Sequence, residues 1–151
     1  MVARSAGILL YRVGADGPDV LIAHPGGPFW ARKDDGAWSI VKGLITDGED
    51  PWTTAKREFC EEVGVDVPAG EHIDLGTVTQ RGGKIVIAFG VEADLDVSNA
   101  VSNTFEIEWP PKSGRMQSFP EVDRIEWFSL AQARTKLLPA QHPFLDALPF
   151  S

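Results

Sequence analysis

Three glutamates crowd the stretch Arg57–Val65, REFCEEVGV: Glu58, Glu61 and Glu62. Read as helix, their i, i+3 and i+4 spacing brings them to one face, where like charges repel and full ionisation is unfavourable. A divalent cation among them removes that repulsion. Mg²⁺ and Mn²⁺ prefer oxygen ligands, and Mg²⁺ is typically held by one or two carboxylates together with water and substrate phosphates. Such a centre clamps a diphosphate and lowers the pKa of bound water, the equipment for hydrolysing a phosphoric anhydride. The same E-x-x-E-E spacing also fits a solvated acidic helix face, so taken alone it leaves both readings open.

The element that must hold these carboxylates is a helix with marked ends. Asp50 suits the N-cap, Pro51 the first helical position and Gly64 the left-handed position past the end. Ala55, Phe59 and Val63 form an apolar stripe beside the acidic face, which predicts a helix of about 13 residues packed on a core. Before it, residues 5–13 and 20–23 read as strands joined at the turn GADGPD, and AWSIV from Ala37 as a third, brief one. The stretch HPGGPFWARKDDGAW between them reads as a loop with Phe29 and Trp30 at its centre, and KGLITDGED from Lys42 as another. After Pro68, residues 72–80 and 84–93 read as a hairpin joined at Arg81-Gly82-Gly83, and residues 103–109 and 124–130 as further alternating runs. Ser129 caps a short helix, LAQARTKLL, stopped by Pro139, and HPFLDAL suits one or two helical turns. Strands on both sides of a central helix, with helix again at the end, predict an α/β fold with a mixed sheet between helical layers.

A chain of 151 residues with 43% hydrophobic content suits one domain, residues 1–151. Its 14 Lys+Arg against 22 Asp+Glu leave a net charge of −8, which argues against general nucleic-acid binding because phosphate backbones require a basic footprint. The single cysteine, Cys60, excludes an internal disulfide framework, and the neighbouring acids disfavour its thiolate. No apolar run approaches the roughly 18 residues of a membrane span, and the N-terminus lacks the layout of a signal peptide. The expectation is a cytoplasmic protein, monomer or homodimer, with a small-molecule partner. His24, His72 and His142 show no metal-ligand spacing.

The context of the glutamates narrows the choice. Gly43, five residues, Glu49, seven residues, then Arg57-Glu58-Phe59-Cys60-Glu61-Glu62-Val63-Gly64-Val65 resembles the Nudix box, Gly-x5-Glu-x7-Arg-Glu-U-x-Glu-Glu-x-Gly-U with U apolar, at every fixed position of residues 43–65. The strand order around it is similar to the Nudix fold over roughly residues 3–148: an α/β/α sandwich with a central mixed β-sheet and a loop-helix-loop catalytic motif.

The resemblance implies Glu58, Glu61 and Glu62 as ligands of Mg²⁺ or Mn²⁺, with a backbone carbonyl at the Lys42–Gly43 turn adding another. It implies that Arg57 and Glu49 tie the preceding loop to the helix and keep the ligands in register. The reaction implied is attack of metal-activated water on a phosphorus of a nucleoside diphosphate linked to a group X, X being most readily completed by a nucleoside triphosphate or a dinucleoside polyphosphate. The general base varies among such enzymes: Glu58 and Glu61 are the candidates inside the box, and Glu121, in a loop just before a strand, is the candidate outside it. Glu106 and Glu108 share one face of a strand and are read as solvent-facing. Lys42 is placed to reach a phosphate; Val41 stands where proline is frequent in relatives, without removing a ligand. Arg81 and Lys84 around Gly82-Gly83 are candidate phosphate contacts, as are Lys112 and Arg115. Trp30, Phe29 and Trp109 are candidate base-stacking rings.

Two other readings compete. A non-catalytic Nudix-like module that binds a nucleotide for sensing would more often lack box glutamates. An isomerase acting on isoprenoid diphosphates needs a cysteine outside the box helix, and Cys60 lies within it.

Overall fold

The computed structural model describes residues 3–150. The first two strands, β1 (Arg4–Gly14) and β2 (Gly17–Pro25), form an antiparallel hairpin with a two-residue turn at residues 15–16. One edge of β1 is shared: its second half pairs with β2, and its first half pairs with β3 (Val41–Leu44), Gly7 opposite Lys42 and Ala6 opposite Gly43. The stretch from Lys42 to Leu44, expected to be loop, is therefore strand, and Lys42–Gly43 is not a turn. Its partner lies far away in sequence, so nothing local to Lys42-Gly43-Leu44 announces the pairing. The expected strand at AWSIV narrows to isolated bridges, Trp38 with Leu137 and Ser39 with Ala23, before β3 begins.

The helix α1 (Pro51–Val63) follows with the expected ends. The Asp50 side chain accepts from the Thr53 N–H, and Gly64 takes φ 90°, a left-handed conformation that costs glycine little. β4 (His72–Thr79) and β5 (Ile85–Glu92) form the expected hairpin, and β5 runs parallel to the free edge of β1. Two strands then leave the sheet. β6 (Thr104–Glu108) and β7 (Met116–Pro120) pair only with each other, as a separate two-stranded arm. β8 (Val122–Ser129) returns to pair with β2, giving the order β4-β5-β1-β2-β8 with β3 beside β1. α2 (Leu130–Lys136) starts on a capping box between Ser129 and Gln132 and ends two residues short of the expected run LAQARTKLL, where Leu137 bridges to Trp38. A 3-10 turn, Pro139–Gln141, leads into α3 (His142–Asp146).

Alternation along β1 divides the core into two layers. Ala6, Ile8 and Leu10 face one way and pack with Ala55, Phe59 and Val63 of α1. Leu9 and Tyr11 face the other way and pack with Trp38, Ala133, Leu137 and Phe144. The result is an α/β/α sandwich, α1 on one face of a mixed sheet and α2 and α3 on the other, with no helix among the described residues long and apolar enough to cross a membrane.

Phe59 carries the seat of α1: it is 0% exposed at the centre of the first layer. Phe59→Ala is expected to lower unfolding free energy by about 3–5 kcal/mol, through lost burial and the cavity left behind. Urea denaturation measures it, and a loss under about 1 kcal/mol would mean that the ring does not seat the helix.

Candidate active site

The apolar stripe of α1 is turned into the core, so the adjacent face with Arg57, Glu58, Glu61 and Glu62 is held over β3. Arg57 organises it. Its Nε and one terminal nitrogen each donate to Glu49 at 2.9 Å, a bidentate pair, and that terminal nitrogen also donates to the Leu44 carbonyl at 3.3 Å. The other terminal nitrogen donates to Glu58 at 2.9 Å and to both oxygens of Glu61 at 3.2 and 3.3 Å. Glu49 accepts further from Thr54 at 2.6 Å and Thr46 at 3.0 Å. These donors, Arg57 first, hold its carboxyl down at about 2, and the same contacts hold the guanidinium protonated more firmly than usual. The loop from Thr46 to Glu49 is thus tied to α1 by a charge-assisted network rather than by an isolated surface pair.

Gly43 faces this network. A Cβ there would run into the carboxyl group of Glu58, so glycine is what lets that carboxylate lie against β3. Glu58, Glu61, Glu62, Lys42, Gly43, Asn103, Thr104 and Glu121 line one cavity of about 360 Å³. Burial raises the Glu62 carboxyl to about 8, with the Glu58, Glu121 and Glu61 charges adding to the effect and Lys42 opposing it. Burial raises Glu58 as well, against the pull of Arg57, and lowers Lys42. Arg57 draws Glu58 and Glu61 towards its own nitrogens, and among the described residues no three His, Cys, Asp or Glu side chains converge as a ready-made ion cage. The donor set still suits a hard divalent cation: three carboxylates on one rigid helix face, all oxygen, two of them pushed by burial towards their neutral forms.

Glu121 stands at the corner between β7 and β8, a single residue rather than the expected loop. Its N–H donates to the Asn103 carbonyl and its own carbonyl accepts from Gly26, so its backbone is fixed where the arm meets the sheet. Asn103 in turn donates from its N–H to the Glu61 carbonyl. Asn103 and Thr104 were not singled out from sequence. Their approach depends on the β6–β7 arm folding back to α1, which no local pattern signals.

A second cavity, of about 690 Å³, adjoins the first at Lys42. Lys42, Arg81, Lys84 and Trp30, four of the expected substrate contacts, all line it, together with Gln80, Ser39 and an apolar wall including Leu138 and Pro139. Trp30 is carried by a pinned loop. His24, 1% exposed, places its two ring nitrogens 2.7 Å from Asp123 and 2.6 Å from the Lys33 carbonyl. Asp34 accepts from Trp38 Nε1 and from Lys136, and Gly36 donates to the Thr135 carbonyl. The other candidates lie elsewhere. Phe29 and Trp109 pack edge-on against each other. Glu108 accepts from the Lys112 and Gly114 N–H groups in the turn of the arm, and Glu106 is exposed. Lys112 and Arg115 belong to that same turn and line neither cavity. A more open groove of about 720 Å³ beside Arg12 and Trp127 has no box residue on its walls, and Arg12 there is spent on Asp19, Asp94 and the Trp127 face.

A model of the NUDIX domain matches residues 1–148. Among solved structures, the chain is similar to a Caenorhabditis elegans Ap4A hydrolase in a binary complex, at 19% identity and TM-score 0.61 over 94% of this chain and 92% of that one. It is similar to the NUDIX domain of Shewanella oneidensis NrtR complexed with ADP ribose, at 15% identity and TM-score 0.61 over 97% and 86%. A MutT protein from Methanosarcina mazei Go1 aligns at 19% identity and TM-score 0.61 over 96% and 91%. At these identities the likeness is one of fold.

The raised Glu62 carboxyl has a consequence for stability. A carboxyl whose folded value is raised favours the folded state while protonated, and that contribution is lost as pH rises from its ordinary value of 4.5 through about 8. With divalent ions chelated, Glu62→Gln is therefore expected to match the wild type in melting temperature near pH 4 and to exceed it near pH 9. Thermal unfolding at both pH values checks this, and equal melting temperatures near pH 9 would contradict it.

Proposed function

The chain belongs to the Nudix family and is a Nudix-type pyrophosphohydrolase; from that premise we propose that it hydrolyses the phosphoric anhydride of a nucleoside diphosphate linked to X, with a nucleoside triphosphate or a dinucleoside polyphosphate as substrate. The observation that carries this reading is the wall shared at Lys42. The carboxylate cavity on one side suits the reacting phosphates, and the larger cavity on the other, with Trp30 and cationic side chains, suits the rest of a nucleotide. Two similar structures are an Ap4A hydrolase and a NUDIX domain complexed with ADP ribose, and Ap4A and ADP ribose are both nucleotides of this general form.

Glu58, Glu61 and Glu62 would hold Mg²⁺ or Mn²⁺, with a backbone carbonyl of Lys42 or Gly43 beside them. When bound, the ion neutralises phosphoryl oxygens and supplies a nucleophilic water at neutral pH. Arg57 and Glu49 keep the three carboxylates in register, the role of residues that support ligands rather than touch substrate. Lys42 pairs with a phosphate at the junction, Arg81 and Lys84 with phosphates further out, and Trp30 offers an aromatic face to a base. Glu121 is the favoured acceptor of the water proton: it shares the cavity with the ligands, and its position does not require it to bind the ion. Glu58 and Glu61 are the alternatives within the box. A cytoplasmic setting, with the activity complete in one domain, completes the proposal.

Glu61→Gln is expected to lower kcat by at least about a hundredfold with little change in melting temperature. The assay is phosphate release with Mg²⁺ or Mn²⁺ across nucleoside triphosphates, dinucleoside polyphosphates, ADP-ribose and nucleotide sugars. Wild-type turnover by the variant removes Glu61 from the mechanism. Silence of the wild-type protein across the whole panel, with nucleotide binding intact, favours a sensing module instead.

A further inference from the structure

The second cavity carries an amide whose orientation the hydrogen bonds dictate. Gln141, 0% exposed beneath it, accepts from the Ile40 backbone N–H at 2.9 Å. A backbone N–H only donates, so the Gln141 atom facing it is the oxygen. Its Nε2 therefore faces the other way, donating to Ser39 Oγ at 2.9 Å and to Gln80 at 2.8 Å. The Gln80 atom met by a donor must be its oxygen. That leaves Gln80 with a free NH₂, which has no protein partner among the described residues. Ser39, the neighbouring neutral polar group, donates to the Ile40 carbonyl and accepts from Gln141, so its one proton is committed. Lys42, Arg81 and Lys84 only donate. Apart from Ser39 Oγ and Gln80 Oε1, which already accept from Gln141, the side chains of this cavity present donors.

We propose that Gln80 is a specificity-determining residue: its NH₂ donates to a carbonyl oxygen on the nucleobase seated in the cavity, and buried Gln141 is the positioning residue that denies Gln80 the opposite orientation. The inference rests on the nucleotide reading above. Charged groups on the wall match phosphates, whereas a neutral amide beside Leu138, Pro139 and Trp30 matches the carbonyl edge of a flat, largely apolar ring. An exocyclic amine at the same place would set donor against donor and leave both unpaired on desolvation. Guanine and uracil are therefore accepted over adenine and cytosine by about ten- to hundredfold.

The test compares GMP with AMP and UMP with CMP by calorimetry in chelator, and GTP with ATP by kcat/KM in Mg²⁺, for wild type, Gln80→Met and Gln80→Glu. Phosphate charge is common to each pair, so the ratio isolates the base. Wild type is expected to favour GMP over AMP and UMP over CMP. Gln80→Met is expected to level the ratio and Gln80→Glu to tilt it towards adenine and cytosine. A wild-type ratio near one, or a preference that survives Gln80→Met, overturns the role of Gln80 while leaving the hydrolase reading intact. No binding and no cleavage of any nucleotide overturns that reading and this inference with it.

Discussion

One guanidinium sets the geometry on which the proposed chemistry depends. Arg57 gathers Glu49, Glu58, Glu61 and the Leu44 carbonyl, from a loop, a helix and a strand end, around a single planar fork. Isolated surface ion pairs contribute little, because solvent screens them and long side chains lose freedom. Here the Glu49 pair is bidentate and Glu49 is further fixed by Thr46 and buried Thr54, so each contact limits the freedom of the next. The arrangement gives the carboxylates fixed starting positions, and it leaves Glu62, which does not bond to Arg57, as a half-buried acid that desolvation pushes furthest towards its neutral form.

The sheet turns that local order into a site with two compartments. Because β1 shares one edge between β2 and β3, Lys42 and Gly43 run beneath α1 instead of looping past it. Gly43 makes room for Glu58, and Lys42 stands on the walls of both cavities. The β6–β7 arm, outside the main sheet, brings Glu121 to the same place. A substrate that is anionic at one end and aromatic at the other fits such a division.

Much of the helix was legible in the residues themselves. Asp50, Pro51, Gly64 and the Ala55–Phe59–Val63 stripe are local signals, and local signals set helix ends. The box pattern pairs Glu49 with Arg57 from sequence alone, and the fold joins them at 2.9 Å. Lys42-Gly43-Leu44 misled because strand pairing is a long-range decision: two small or polar positions become strand when Ala6 and Gly7 lie opposite. The arm was half seen, since residues 103–109 alternate but exposed β7 shows no buried face to betray it. Gln80 and Gln141 lie 61 positions apart, and neither has a neighbour in sequence that suggests the contact.

The central claim, that the α1 carboxylates are arranged for a divalent cation, is tested most directly by anomalous diffraction from crystals soaked in Mn²⁺. The account predicts a peak bounded by Glu58, Glu61 and Glu62 next to β3. No peak there at saturating Mn²⁺, with the carboxylates still gathered on Arg57, would contradict it.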